Sequence, residues 1–252
     1  MSGGGIDDRM LADAALVVAH PDDEVLWFAS ILARVGRVII AFRDHDAAPD
    51  LGRRRAAAMA ELPYRGLIAL AIPEAGSFDG ANWDAPTPNE VGLELNAVAD
   101  DGQEAARYRA NFAALRAALR PLLAGRRHVF SHNPWGEYGH EDHVQVYRAV
   151  DSLRRELGFR QWATTYCSDH SARLAARFAA PAVPAVRRAV DGAAARRIAA
   201  IYQRHGCWTW LADWTWPAAE FLLPMPLPAA DASGGQELPL TMVPSSGGGA
   251  RR

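Results

Sequence analysis

Lysine is absent from the 252-residue chain, so all 27 basic residues are arginine. That absence excludes a lysine nucleophile, Schiff-base chemistry and the lysine-bearing phosphate loop. Charge of one sign is also lacking: 27 basic against 29 acidic residues leave a formal net charge of −2. With no basic excess to neutralise phosphates, nucleic acid is not an expected partner. Cysteine is scarce. Cys167 and Cys207 cannot build a four-thiolate metal site, and two cysteines neither require nor exclude one disulfide. No apolar run approaches the roughly 18 residues of a membrane span. The opening MSGGGIDDRMLADAALVVAH lacks a positive region followed by a long apolar stretch, so no signal peptide is expected and the default location is the cytoplasm.

What is present suits one globular domain: half of the residues are hydrophobic and 22% are charged. After a flexible start over residues 1–13, short apolar runs of buried-strand type lie at Ala14–Ala19, Arg37–Phe42, Leu67–Ile72, His128–Ser131 and Gln161–Tyr166. Between them the composition predicts helices over Glu24–Val35, Gly52–Leu62, Glu104–Ala124 (with Pro121 as a candidate break) and His143–Leu157, and a further helix over Ala193–Arg204. Strands alternating with helices predict an α/β fold, a Rossmann-like, mainly parallel sheet with helices on both faces, in a single domain over 14–228. Residues 229–252 read as a disordered tail rich in Gly, Ser and Pro. Glu74–Gly102 interrupts the alternation, and a loop that long is either functional or disordered.

Two segments carry chemistry. Ala19-His20-Pro21-Asp22-Asp23-Glu24 lies where the first strand hands over to a helix, at the edge where parallel sheets bind ligands. It has no glycine to let the backbone approach a pyrophosphate, and offers one imidazole and three carboxylates instead. Alone it could equally be an acidic helix N-terminus with a capping aspartate. The segment Ser131–His143, SHNPWGEYGHEDH, tips the balance, because it too joins a strand to a helix and presents His140, Asp142, His143 and Tyr138. Capping does not explain two His-bearing acidic loops at one sheet edge. Mixed N and O donors suit a divalent metal, zinc being the usual one. Glu24 reads as a helix-start residue rather than a catalyst, and Val25-Leu26-Trp27-Phe28 as core.

AHPDDE after the first strand, with G-H-x-D-H before a later helix, resembles the signature of the PIG-L/LmbE-type de-N-acetylases over roughly Ala14 to Tyr166. The resemblance implies a zinc-dependent hydrolase that removes an acetyl or other acyl group from the nitrogen of an amino-sugar small molecule or glycoconjugate. It implies one Zn2+, or another divalent metal in its place, held by His20, Asp23 and His143 with a position left open for water. Asp22 would be the general base and His140 the cationic group facing the tetrahedral intermediate, its orientation and charge held by Asp142; Tyr138 is placed to polarise the carbonyl. On the substrate side the sequence departs from the family pattern. Asp44 (in Arg43-Asp44-His45-Asp46), Glu74 after Pro73, and Arg54 from the run Arg53-Arg54-Arg55, within which the sequence does not choose, are the candidates there. Phe78 and Trp83 give the Glu74–Gly102 segment apolar faces with which to select the group attached to the sugar. Trp208, Trp210, Trp214 and Trp216 read as core or lid packing, with sugar stacking as the alternative.

Three rivals compete. His20-Pro21-Asp22 has the H-x-D spacing of a non-haem Fe(II) oxygenase, whose usual host is all-β. A metal-dependent phosphoesterase would want a second ligand cluster of similar strength. A non-catalytic metal- or sugar-binding homologue would be marked by loss of Asp22 or His140, and both are present. The sequence neither indicates nor opposes a homo-oligomer.

Overall fold

A computed structural model of the protein describes residues 6–64, 66–96, 102–178, 185–227 and 238–245. The chain opens with α1 (Asp8–Asp13), β1 (Ala15–Val18), the short helices α2 (Asp23–Trp27) and α3 (Ala29–Leu32), β2 (Arg37–Ile40), α4 (Pro49–Glu61) and β3 (Leu67–Ala69). A small hairpin of β4 (Pro88–Asn89) and β5 (Gly92–Leu93) precedes the long α5 (Gln103–Leu123), β6 (His128–Ser131) and α6 (Glu141–Leu157). Then come β7 (Arg160–Thr164), β8 (Tyr166–Cys167), α7 (Ala172–Ala175), β9 (Val186–Ala189), α8 (Gly192–Arg204), β10 (Ala219–Met225) and β11 (Thr241–Met242).

Seven strands form the main sheet in the order β3-β2-β1-β6-β7-β10-β9. The pairs from β3 to β7 are parallel, with Leu16 of β1 beside Val38 of β2 and Phe130 of β6; β10 and β9 then add antiparallel. The alternation of side chains along each strand divides the apolar runs between two cores. Leu16, Val18, Val38, Ile40 and Phe130 face α1, α2, α3 and α8, with Ala58 and Leu62 of the α4 region. Ala15, Val17, Ile39 and Val129 face Leu115 and Leu119 of α5 and Val146, Ala149 and Val150 of α6. The order reverses between β1 and β6, and at such a switch point the loops leaving two neighbouring strands diverge and open a crevice at their carboxyl ends. Those loops are the two chemically loaded segments.

Several expectations need correction. Within the start expected to be flexible, residues 8–13 form α1: Asp7 caps it by accepting Met10 N–H at 2.8 Å, and Leu11 is fully buried. The helix expected over Glu24–Val35 is broken at Phe28. The bond that would join its halves, Ala29 N–H to the Val25 carbonyl, is unavailable because Glu220 takes Ala29 N–H (3.0 Å) and Trp216 Nε1 donates to Val25 O (2.6 Å). Pro121 does not break α5, which runs through it and ends two residues later at Leu123. β9 and β10 had no sequence reading. In the stretch expected to be a disordered tail, β11 runs parallel to β8 and Val243 is buried; 229–237 and 246–252 lie outside the described residues. Both cysteines are buried and free. Among the described residues, no helix is long and apolar enough to cross a membrane.

Glu220 ties the late strand β10 to the early helix pair. Buried at 1% exposure, it also accepts Ser30 N–H (3.0 Å), Ser30 Oγ (2.6 Å) and Tyr166 OH (3.1 Å). Glu220→Ala leaves those donors unpaired and is expected to lower stability by about 2 kcal/mol or more. The check is the urea midpoint at unchanged slope; a loss below about 0.5 kcal/mol would remove Glu220 from this role.

Candidate metal centre

The site is built around one carboxylate oxygen. Asp23 opens α2, and its Oδ1 accepts the indole N–H of Trp27 one turn on (2.9 Å), which turns Oδ2 towards the loops. Oδ2 accepts His20 N–H at 2.7 Å and lies 3.3 Å from His20 Nδ1, 3.2 Å from His143 Nε2 and 3.5 Å from His132 Nε2. Burial pushes the Asp23 carboxyl up, but His143, His132 and His20 together hold it well below the usual carboxylate range. One donor atom from each of His20, Asp23 and His143 lies within 4.8 Å of the others, as a shared ion requires. Two further groupings, His20 with His140 and Asp142, and His132 with Glu137 and His143, overlap it, so the donors form a single cluster.

Each histidine is oriented from behind. His20 Nε2 stands 3.2 Å from Asp142 Oδ2, and Asp142 Oδ1 accepts Ser77 Oγ at 2.7 Å. His143, in the first turn of α6, sets Nδ1 2.8 Å from Glu137 Oε2. That pairing leaves His143 Nε2 buried with no hydrogen-bond partner, facing a carboxylate oxygen. An imidazole lone pair and a carboxylate repel unless a cation sits between them. The orphaned nitrogen and the mixed N and O donor set therefore fit a divalent metal. Excess negative charge points the same way: burial opposes it, yet Glu74, Asp142 and Asp23 raise His20 to about 10.

Asp22 stands outside those groupings. Its backbone is left-handed, φ 99°, a conformation that costs a non-glycine residue energy and here separates the directions of two adjacent carboxylates. Glu24 holds that turn, accepting Asp22 N–H (3.0 Å) while Tyr202 and Tyr64 donate to its other oxygen (2.7 and 3.2 Å). Its placement at the helix start is as expected, but it braces the turn of its own motif. Asp22 Oδ2 accepts both the N–H and the hydroxyl of Thr209, each at 2.8 Å. Burial, and then the charge of Asp23, push Asp22 up to about 8.

The opposite wall comes from the second motif. Left-handed backbone at Gly136, Glu137 and Gly139 folds it tightly, and a Cβ on Gly139 would meet His170 at 2.3 Å. His140 lies parallel to His143 with ring centres 4.9 Å apart. Two details bear on the roles expected of His140 and Asp142. His140 Nδ1 accepts the backbone N–H of Asp142 (3.1 Å), whereas the Asp142 carboxylate serves His20 and Ser77. Burial and the neighbouring His20 and His143 depress His140 well below its ordinary value, and with Nδ1 accepting Asp142 N–H the ring hydrogen is on Nε2. Tyr138 stands edge-on to His140 and His143, and burial keeps its hydroxyl protonated.

The substrate-side candidates separate. Glu74 reaches the cluster, 4.0 Å from His20 Nε2, and pairs with Arg55. Arg55 is the arginine buried there; Arg54 is exposed, with its guanidinium 3.4 Å from the Gly206 carbonyl, because adjacent helix positions point about 100° apart. Arg53 is exposed and pairs with Asp50. Asp44 is engaged by Arg43 through two hydrogen bonds (2.9 and 2.8 Å) on the partly exposed turn after β2. In the 74–96 stretch, Phe78 is 46% exposed with its ring 4.9 Å from His140. Trp83, expected as a second apolar face, is buried and donates to Glu141 (2.9 Å). The Trp-rich segment packs as a wall: Trp210 lies 4.8 Å from Tyr138 and 5.1 Å from Trp27.

Four site residues had no role in the sequence reading: His132, Glu137, Ser77 and Thr209. His132 carried a signal, since it leaves β6 as His20 leaves the neighbouring parallel β1. Thr209 carried none.

No protein-family model and no curated sequence matches the chain. Solved structures do. Teicoplanin deacetylase in its zinc-inhibited form shares 13% identity with a TM-score of 0.52, over 87% of this chain and all of the other. N,N'-diacetylchitobiose deacetylase from Pyrococcus horikoshii shares 16% identity over 80% of this chain and 72% of its own, with a TM-score of 0.42. The fold is that of teicoplanin deacetylase.

Asp22 yields a prediction for the metal-free protein. A carboxyl that titrates near 4 when unfolded and at about 8 when folded favours the fold at low pH. That contribution is lost as pH rises through about 8. Asp22→Asn tolerates the left-handed backbone, still accepts the Thr209 donors and removes the charge. Its stability relative to wild type is expected to grow between pH 5 and pH 8.5 in chelator-treated thermal melts; a difference independent of pH would contradict the assignment.

Proposed function

We propose that this chain is a metal-dependent N-deacylase acting on an amino-sugar conjugate, a small molecule rather than a nucleic acid. The observation that carries the reading is the convergence of His20, Asp23 and His143 on one point, with a buried unpaired nitrogen at it. These three would hold one divalent ion, Zn2+ by the donor set, and Asp22 beside them is held by Thr209 instead. When bound, such an ion lowers the pKa of water at its open position and polarises a carbonyl oxygen.

The remaining work falls to side chains. Asp22, raised to about 8, is a base matched to neutral pH, and it takes the proton of the attacking water. His140, neutral with Nδ1 occupied by Asp142 N–H, offers Nε2–H to the oxygen on which charge develops. Tyr138, with its hydroxyl protonated, stands beside it as a second donor. The departing amine needs a proton, and protonated Asp22 supplies it. Glu74, paired with Arg55 next to His20, would meet the sugar hydroxyls. Phe78, exposed beside His140, would offer an apolar face to whatever the sugar carries.

The test is amine release from a panel of N-acetylated amino sugars and their glycosides. Release is expected to disappear with chelator and return with added Zn2+. Zinc-loaded protein that frees amine from none of them would contradict the reading. Asp22→Asn is expected to keep its zinc while turnover drops about 10²- to 10⁴-fold, and His143→Ala to lose zinc and turnover together. Equal zinc loss in both would mean that the two aspartates have been assigned in reverse.

Phe78 makes its own prediction. Phe78→Ala should lower kcat/KM for glycosides with an apolar aglycone by about tenfold and leave the bare N-acetyl sugar nearly unchanged. Equal kcat/KM ratios in variant and wild type would take the loop out of recognition.

A further inference from the structure

The least expected feature of the cluster is Glu137, an acidic residue with a left-handed backbone (φ 50°) and no exposed surface. One oxygen, Oε2, lies 2.9 Å from His132 Nδ1 and 2.8 Å from His143 Nδ1. The other, Oε1, accepts Asn133 N–H at 2.9 Å. In turn Asn133 Oδ1 accepts Glu137 N–H at 3.0 Å, so side chain and backbone lock the turn reciprocally. The two imidazoles that Glu137 joins are stacked, with centres 3.8 Å apart and planes 20° from parallel.

The hydrogen positions follow from the ends of this chain. Ala19 N–H can only donate, and it donates to His132 Nε2 at 2.8 Å, so that nitrogen bears a lone pair. The hydrogen of His132 is therefore on Nδ1 and points at Glu137. The second imidazole meets the same carboxylate oxygen through its own Nδ1, which must also be a donor. His143 is left with its lone pair on Nε2, the atom that has no partner and faces Asp23.

We infer that Glu137 is a positioning residue that fixes the tautomer and ring orientation of His143, and that His132 couples this clamp to the end of β1. The inference rests on the metal-binding reading above and deepens it. It gives a left-handed, buried glutamate on a turn otherwise rich in glycine a role that a neutral amide cannot fill. The amide group of a glutamine would set donor against donor, either at the two imidazoles or at Asn133 N–H, whichever way it is turned. A flipped His143 tautomer would carry its hydrogen on Nε2 and could not coordinate. Partners that orient a ligand in this way typically change metal affinity by about 10- to 100-fold.

The experiment compares Zn2+ affinity of wild type and Glu137→Gln by competition with a chromogenic chelator, alongside thermal melts of both metal-free proteins. The expected result is one zinc per wild-type chain and about 10- to 100-fold weaker binding by the folded variant. A folded variant that binds within about threefold of wild type, a margin well below that range, overturns the clamp and leaves the metal reading intact. Wild type that binds no zinc overturns both. If the variant does not fold, zinc-loaded wild type answers by long-range proton–nitrogen correlation of the histidine rings. A protonated Nδ1 and metallated Nε2 on His143 support the clamp; the reverse pattern overturns it.

Discussion

Burying this much like charge at one sheet edge is the constraint from which the rest of the structure follows. Asp22, Asp23, Glu137 and Asp142 are all within 1–2% of full burial or completely buried, and the compensating charge beside Asp23 and Asp142 is that of His20, raised to about 10. Removing ionised carboxylates from water costs several kcal/mol each unless they are paired and fully hydrogen-bonded. Every one of them is paired or hydrogen-bonded here: Asp23 by the His20 backbone N–H and an indole, Asp142 by His20 and Ser77, Glu137 by two imidazoles and a backbone N–H, Asp22 by Thr209. What stays uncompensated is a single point, the space between Asp23 Oδ2 and His143 Nε2. A divalent cation would complete the pairing, and its binding would release the proton that His20 otherwise holds.

The fold provides the rigidity that this arrangement needs. β1 and β6 are neighbours at the point where strand order reverses, so His20 and His132 leave the sheet side by side. Elements far along the chain then close the site. β10 caps α3 through Glu220, α8 props Glu24 through Tyr202, and the segment after α8 fixes Asp22 through Thr209. The strained turn at Asp22 is therefore braced from below and from the side, which holds its carboxylate apart from that of Asp23.

The alternation of short apolar runs with helical segments made the parallel half of the sheet legible in the sequence, and the two strand-to-helix motifs made its reactive edge legible. His20, Asp23 and His143 came together as read. Other features depended on long-range packing that no local pattern carries. The break at Phe28 exists because Glu220 and Trp216, nearly two hundred residues on, take both halves of one helical hydrogen bond. Arg55 rather than Arg54 enters the site because the phase of α4 against the sheet decides which of three identical side chains is buried. Asp142 meets both histidines, its backbone N–H donating to His140 Nδ1 and its carboxylate standing 3.2 Å from His20 Nε2, a double contact that only the folded second motif creates. Antiparallel β9 carries charged Arg187 and Arg188 and so lacks the apolar run of a buried strand.

The central claim is that these residues form one metal site at the switch point of the sheet. Anomalous diffraction at the zinc edge, from crystals of the zinc-loaded protein, tests it most directly. The account predicts one strong peak per chain at bonding distance from His20, Asp23 and His143, with the Asp22 carboxylate still held by Thr209. A peak bonded to Asp22 in place of Asp23, a peak between His132 and Glu137, or no peak in this cluster would contradict it.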